Sequence, residues 1–471
     1  VYKLLLCWRY LLTRYLALAC IISVMLGVAT LIVVNSVMSG FSTKLRERLH
    51  GLLSDVIVEA TSYDGFPDAD RKMRDILASP LGEHVDAMTS AVDIFAMLQY
   101  DYWDGQQKET VTRPVRLIGI DPATYARVGG FREYLKDQKD SPNPSFDLSP
   151  EAVWRYRLMH PPIVAPPPQY NPDPKAPPPP DPPDSSPDVP HGIIIGQAIA
   201  SFREKPTHPG EEGRDIYLLR PGDSVRIFTV SAQKMLPVVA HFAVCDYFKS
   251  EMSEYDSNYV FVPLDYLQHL RTMEKRVTSI QIKLKDYHAA PLVVKQLQEM
   301  FPSSRYNVQT WEHKQGALLA AISVEKGILN VLLFMIVGVA GFGILAIFAM
   351  IVVEKTRDIG ILKALGASNG GVMSIFLGYG LLLGVVGASL GTALGLTITE
   401  HLNVIEKWLT HVTGQEIFPR DIYYFKEIPT DVQTWSVVWV NVGAVAIAVV
   451  FSILPALRAA LLHPVRALRY E

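Results

Sequence analysis

Ser389 stands in Gly387-Ala388-Ser389-Leu390-Gly391, which matches the G-x-S-x-G turn that presents a nucleophilic serine in many hydrolases. That chemistry needs a strand-to-helix turn and a histidine–acid relay. This serine lies instead inside the uncharged stretch from Ala364 to Thr399 with no convincing His or Asp partner, so helix packing accounts for the pattern. The G-x-x-x-x-G-K-[ST] phosphate loop does not occur, which predicts a chain that cannot cradle ATP in the usual way. The three cysteines, Cys7, Cys20 and Cys245, are too scattered for a disulfide framework or a metal site. Neither a catalytic residue, a metal ligand nor a bound cofactor is expected, and any power stroke must come from outside. The remaining candidate is mechanical. Glu354-Lys355-Thr356-Arg357-Asp358-Ile359-Gly360-Ile361-Leu362-Lys363-Ala364-Leu365-Gly366-Ala367 alternates charged with apolar residues at roughly helical spacing, so that Ile359, Leu362 and Leu365 are expected to pack while the charged face is wetted. Such an element can take a push from a soluble partner; an ordinary charged loop fits the spacing equally well.

The elements that must hold this segment are legible from composition. Of 471 residues, 49% are hydrophobic and only 19% charged, and the mean hydropathy is +0.17, which points to a mixed membrane and soluble protein. A net charge of -3 without a basic stripe argues against a nucleic-acid binder. A hydrocarbon core about 30 Å thick needs roughly 20 apolar residues at a helical rise of 1.5 Å. Leu16 to Met38, Gly327 to Val353, Val372 to Thr397 and Val432 to Leu457 contain no Asp, Glu, Lys or Arg and predict four spans. The first lacks a small-residue cleavage site and is too long for a signal peptide, which predicts a retained helix. Lys3, Arg9 and Arg14 precede the first span, Lys355, Arg357 and Lys363 link the second to the third, and Arg458, Arg466 and Arg469 follow the fourth. The link between the third and fourth is acidic. Positive flanks stay in the cytoplasm, so both termini are expected there.

The expected layout is a cytoplasmic amphipathic segment 1–15, spans 16–38, 327–353, 372–398 and 432–457, a coupling segment 354–371, an outer loop 399–431 and a cytoplasmic tail 458–471. An extracytoplasmic α/β domain fills 39–326. Its strand candidates include 115–120, 225–230, 259–262 and 279–284, and helical spacing marks Pro263 to Met273 and Ala290 to Phe301, an order that suggests a split βαβ unit. Between His160 and Pro190 about half of the residues are proline, which predicts a polyproline II insertion, a stiff spacer rather than a docking strip. Gly380, Gly384, Gly387, Gly391 and Gly395 give the third span a face open to close helix packing, and Asn35, Asn330 and Asn441 are expected to make interhelical hydrogen bonds.

One helix, a large outer domain, three helices and a charged link after helix two together resemble the FtsX/MacB superfamily of ABC permeases. Asn35-Ser36-Val37-Met38-Ser39-Gly40-Phe41, Leu45-Arg46-Glu47-Arg48, Leu454-Pro455-Ala456-Leu457-Arg458-Ala459-Ala460 and Pro464-Val465-Arg466-Ala467-Leu468-Arg469-Tyr470-Glu471 are similar to the lipoprotein-releasing LolC and LolE branch, as are Asp421-Ile422-Tyr423-Tyr424 and the stretch Phe242 to Leu267. The resemblance implies an α-helical membrane protein with four transmembrane helices and a MacB-like periplasmic core domain in the cytoplasmic membrane. It implies an ABC ATP-binding partner that uses ATP and Mg, and a second permease subunit, identical or different. Lipoprotein or amphiphile cargo, and a periplasmic carrier, complete the implied set. The implied coupling residues are Glu354, Lys355, Arg357, Asp358, Ile359, Leu362, Lys363 and Leu365. The implied acyl-chain cavity is lined by Val34, Met38 and Phe41 on helix one and Ile322, Leu329 and Leu333 on helix two. One departure concerns the carrier: the family's catching hairpin falls between Val230 and His241, where only Ser231 to Pro237 is available. MacB-like efflux and FtsX-like activation of an envelope hydrolase are the competing functions.

Overall fold

The structure is a computed structural model that describes residues 15–103, 107–141, 143–160, 189–204, 214–413 and 427–463. The proline-rich insertion falls almost wholly outside the described residues, as do the segment before Tyr15, the Asp421–Tyr424 run and the tail from Pro464. The chain forms two units, one of apolar helices and one α/β domain built mainly from Glu47–Gly316.

Among the described residues four helices are long and apolar enough to cross a membrane. Helix one runs Tyr15–Leu52, helix two Gly316–Glu354, helix three Asn369–Glu400 and helix four Thr434–Ala460. Helices one and two are 38 and 39 residues long, well beyond the apolar runs, because Lys44, Arg46 and Arg48 continue helix one and Ile322 to Lys326 belong to helix two. Between helices three and four a further helix, Leu402–Thr413, stands where a loop was expected. Inside the bundle Val24, Val28 and Ile32 pack with Leu333, Val337 and Phe348 and with Tyr379, Leu383 and Ala448.

The helix-three glycines divide between two neighbours. A methyl group on Gly380 would stand 2.5 Å from Ser452 Oγ, and one on Gly384 would stand 3.0 Å from Ala448 Cβ, both on helix four. On Gly387 and Gly391 it would meet Val24 at 2.9 Å and the Met25 carbonyl oxygen at 2.6 Å, both on helix one. Only glycine allows backbones this close. Of the three asparagines, Asn441 bonds Thr392 Oγ1 of helix three at 2.8 Å, Asn35 lines a small cavity, and Asn330 is exposed.

Among the described residues the α/β domain carries thirteen strands: β1 (Val56–Ala60), β2 (Phe66–Pro67), β3 (Val85–Trp103), β4 (Lys108–Ile120), β5 (Gly192–Gly196), β6 (Ser201–Glu204), β7 (Arg214–Tyr217), β8 (Ser224–Val230), β9 (Pro237–Phe248), β10 (Tyr259–Pro263), β11 (Arg276–Val277), β12 (Ser279–Leu284) and β13 (Tyr306–Thr310). Nine of them form one sheet in the order β13-β1-β12-β3-β4-β10-β5-β9-β8. β3 is long enough to serve two partners on one edge: residues 85–91 pair with β12 and residues 97–99 with β8. The second pairing closes β3-β4-β10-β5-β9-β8 into a ring. The parallel pairs β4–β10 and β5–β9 require crossovers, which run through residues 121–258 and 197–236, while the helix Ala290–Met300 connects β12 to β13, the two strands that flank β1. Alternation along β8 buries Val225, Ile227 and Thr229, while β5, inside the sheet, is buried along its whole length. At the sheet's terminal strand, Gln298 Nε2 donates to the Val308 carbonyl at 3.1 Å.

The last turn of helix one is tied into this domain by groups that hydropathy does not reveal. Arg48 pairs with Glu251 Oε2 at 2.6 Å, and the Gly51 carbonyl accepts from Gly130 N at 2.8 Å. Asp55, 1% exposed, accepts from His50 Nε2 at 2.7 Å, Lys283 Nζ at 3.1 Å and Leu284 N at 2.8 Å. Its own carbonyl accepts from Trp311 N at 3.2 Å, and the Trp311 ring stacks on His50 at 5.8 Å. Burial alone would raise the Asp55 pKa, but the bonds from His50 and Leu284 and the Lys283 charge outweigh it and hold the carboxyl below the usual range. A depressed folded pKa stabilises the fold above the unfolded value of about 4 and loses that contribution as pH falls through the folded value. Asp55→Asn is therefore expected to cost about 3 kcal/mol at pH 7. Thermal melts by circular dichroism should show that deficit shrinking below about pH 4; a deficit independent of pH would remove the carboxylate from this role.

Candidate functional site

Helix two ends at Glu354, and a short helix, Thr356–Ala364, follows at once. Thr356 Oγ1 donates back to the Val352 carbonyl at 2.9 Å, and Lys355 Nζ pairs with Asp358 Oδ2 at 2.7 Å on the solvent side. The helix stops at Gly366, whose φ of +97° is open to glycine and strained for other residues. Ser368 then caps helix three, its Oγ accepting from Gly371 N at 3.1 Å. Ile359 is 4% exposed and packs with Val352, Val372 and Ala459, and Gly360 is buried beside it. Glu354, Arg357 and Asp358 are exposed.

The expectation that Ile359, Leu362 and Leu365 pack together is corrected for the last two. Leu362 is 45% and Leu365 81% exposed, and Ile361 joins them at 43%. The helix needs only Ile359 and Gly360 to seat on its own chain, so its other apolar residues form an uncovered strip. Lys363 turns the opposite way. Its Nζ donates to the carbonyls of Ala460 at 2.7 Å and Leu462 at 2.6 Å, at the end of helix four.

At the other end of the bundle, Val34, Met38 and Phe41 on helix one and Ile322 and Leu329 on helix two are half-buried, whereas Leu333, 8% exposed, belongs to the bundle core. The structure thus sets Leu333 among packed side chains and leaves the other five partly open. Beside them Asn35, Ser36, Ser39, Lys326 and Asp431 line a cavity of about 10 Å³. Asp431 N donates to the Ser36 carbonyl at 2.9 Å, and a methyl on Gly40 would collide with the Pro429 carbonyl oxygen at 2.5 Å. The Asn35–Phe41 motif is therefore where helix one receives the chain entering helix four. Its spacing signals close packing but carries no sign of which segment packs.

In the α/β domain β8 and β9 form a hairpin connected by Ser231–Leu236, within the Ser231 to Pro237 stretch read from the sequence, while Pro237 itself begins β9. Arg271, 3% exposed, pins its base through Nε to the Val230 carbonyl at 2.9 Å. Met235 and Leu236 at the tip are 60% and 57% exposed, and Val239 and Met97, aligned with Phe228 across three strands, extend the apolar surface.

The family model "FtsX-like permease C-terminal" matches residues 330–464, which run from helix two through the short helix and helix three to the end of helix four. That match assigns an FtsX-like permease C-terminal domain to these residues. Over 97% of its length the chain is 27% identical to the lipoprotein-releasing system transmembrane protein LolC of Xylella fastidiosa, covering 94% of that protein. It is 29% identical to LolE of Haemophilus influenzae over 45% of this chain and 51% of the other. The macrolide export ATP-binding/permease protein MacB of Neisseria meningitidis matches at 24% over 44% of this chain and 30% of its own length. Among solved structures, the periplasmic region of MacB from Actinobacillus actinomycetemcomitans aligns at 13% identity, 58% of this chain and 97% of the other, with a TM-score of 0.26, too loose a likeness to argue from. Among the described residues no group of acidic, histidine and cysteine side chains is placed to hold a metal.

Proposed function

We propose that this permease extracts lipoproteins or similar amphiphiles from the outer leaflet of the cytoplasmic membrane, using ATP and Mg consumed by a separate ABC subunit. The observation that carries the reading is the likeness to LolC along nearly the whole chain, outer domain included. The proposal places both termini and the Thr356–Ala364 helix in the cytoplasm and the α/β domain, of MacB-like kind, in the periplasm. The exposed strip Ile361, Leu362 and Leu365, flanked by Arg357 and Asp358, supports docking of the ATPase there. A second permease subunit, identical or different, completes the cavity that Val34, Met38, Phe41, Ile322 and Leu329 line in part, with Leu333 behind them. A periplasmic carrier receives cargo at the apolar tip of the β8–β9 hairpin.

Energetics favour an ATP-driven step. Each buried methylene of an acyl chain contributes about 0.8 kcal/mol, so a lipid anchor with two or three chains leaves the bilayer too slowly without coupling. The test is release of a fluorescent lipoprotein from proteoliposomes holding the permease, its ATPase and ATP. Release that needs ATP is expected, and Leu329→Asp should lower it by about 50-fold, since a carboxylate cannot face acyl chains without its water. No release of any lipoprotein by the wild-type complex would shift the assignment to MacB-like efflux. Topology has its own check in intact cells: an impermeant thiol reagent should label a cysteine placed at Ser185 and spare one at Ser368, and the reverse pattern ends the model.

A further inference from the structure

We propose that Lys363 is a positioning residue, a clamp through which the Thr356–Ala364 helix holds the end of helix four and steers it about Pro455. Helix four gains the short helix as a partner towards its end. Before Pro455 it is locked to helix three, where Gly380 and Gly384 admit Ser452 and Ala448 with no room for a methyl group. Beyond Pro455 its buried residues include Ala456 and Ala459, and Ala459 packs with Ile359 of the short helix as well as with Val352 at the end of helix two and Val372 at the start of helix three. Pro455 sits at the change. It has no N–H to give the Phe451 carbonyl, and its ring presses on that turn, which makes this the place where helix four bends at least cost.

Lys363 supplies what the freed end needs. The last carbonyls of a helix lack partners inside it and carry the negative end of its dipole. The Lys363 ammonium donates to two carbonyls at this end, Ala460 at 2.7 Å and Leu462 at 2.6 Å, both charge-assisted bonds. Ile359 provides apolar contact one turn earlier on the same short helix. A displacement of that helix therefore carries residues 456–462 with it, while the part before Pro455 stays with helix three. The clamp stands on this chain's geometry alone; that a partner's stroke drives it rests on the function proposed above.

The test uses the full chain in nanodiscs, without ATPase, nucleotide or cargo, so its failure is separable from a failure of the transport assignment. Cys7, Cys20 and Cys245 are replaced by alanine. Spin labels go on Leu381 of helix three and Leu461 after helix four, which are 48% and 68% exposed. Pulsed electron resonance should give one narrow distance distribution with Lys363 present. Lys363→Met removes both charge-assisted bonds and should raise the population outside that peak by at least about tenfold. Lys363→Arg should restore the peak, Lys363→Gln should lie between, and Lys363→Met combined with Pro455→Ala should be narrow again because the hinge is gone. An unchanged distribution in Lys363→Met and Lys363→Gln overturns the clamp. Failure of Arg to restore the peak overturns the role of the donor, and a broad distribution in the double variant overturns the hinge.

Discussion

Replacing Leu362 and Leu365 together by aspartate is expected to abolish ATP-driven transport while the permease still folds and reaches the membrane. The two side chains are 45% and 81% exposed, so their removal takes little from the chain's own packing. At the interface proposed for the ATPase the same change removes two apolar anchors and sets two carboxylates where water is excluded, each worth about 2 kcal/mol or more. Affinity should fall by at least about 100-fold. The measurement is co-purification of the ATPase with wild-type and doubly substituted permease, alongside cargo release. Equal co-purification and full transport would show that this strip does not carry the contact.

Gly391→Leu should be as severe for a different reason. A single methyl there already meets the Met25 carbonyl oxygen at 2.6 Å and Val28 Cβ at 2.8 Å, both backbone-anchored on helix one. Overpacking of this kind costs about 1–3 kcal/mol for small insertions. Four added carbons must push helices one and three apart, so little monodisperse protein is expected on size-exclusion chromatography of detergent extracts. Gly343→Ala is the contrast: nothing lies within 4 Å of its added methyl, and the helix gains propensity. A well-behaved Gly391→Leu would mean that helices one and three are not in contact at this point.

Local features are legible in the sequence, and features that depend on distant partners are not. The four apolar runs stand out because a helix at a protein's wet surface seldom goes roughly 20 residues without a charge, whereas a helix crossing lipid must. Their helices overrun them, since Lys44, Arg46 and Arg48 are as compatible with helix as with loop. Strands such as Val225–Val230 are visible through their alternation, whereas the second pairing of β3 is not, because a strand does not encode where its edge is reused. At the candidate site, helical spacing marks Ile359, Leu362 and Leu365 as one apolar set but cannot say which of them the chain covers itself. Lys363, a plausible partner contact by charge, finds carbonyls about a hundred residues away in sequence. The His50–Asp55–Trp311 group is not legible in spacing, since Trp311 and Lys283 reach it from far along the chain.

The ring closed by β3 and β8 also bears on how the domain survives before it is complete. A sheet's unpaired rim is a template for another chain, and aggregation starts there. Closure leaves the nine-stranded sheet with β13 as its terminal strand, and Gln298 already occupies the Val308 carbonyl on it. Yet β13 is the last strand of the domain to be synthesised, and it covers β1, the first. Until Tyr306–Thr310 arrives, β1 offers the open template, so the interval between the two is when the nascent chain most needs to be kept apart from its neighbours.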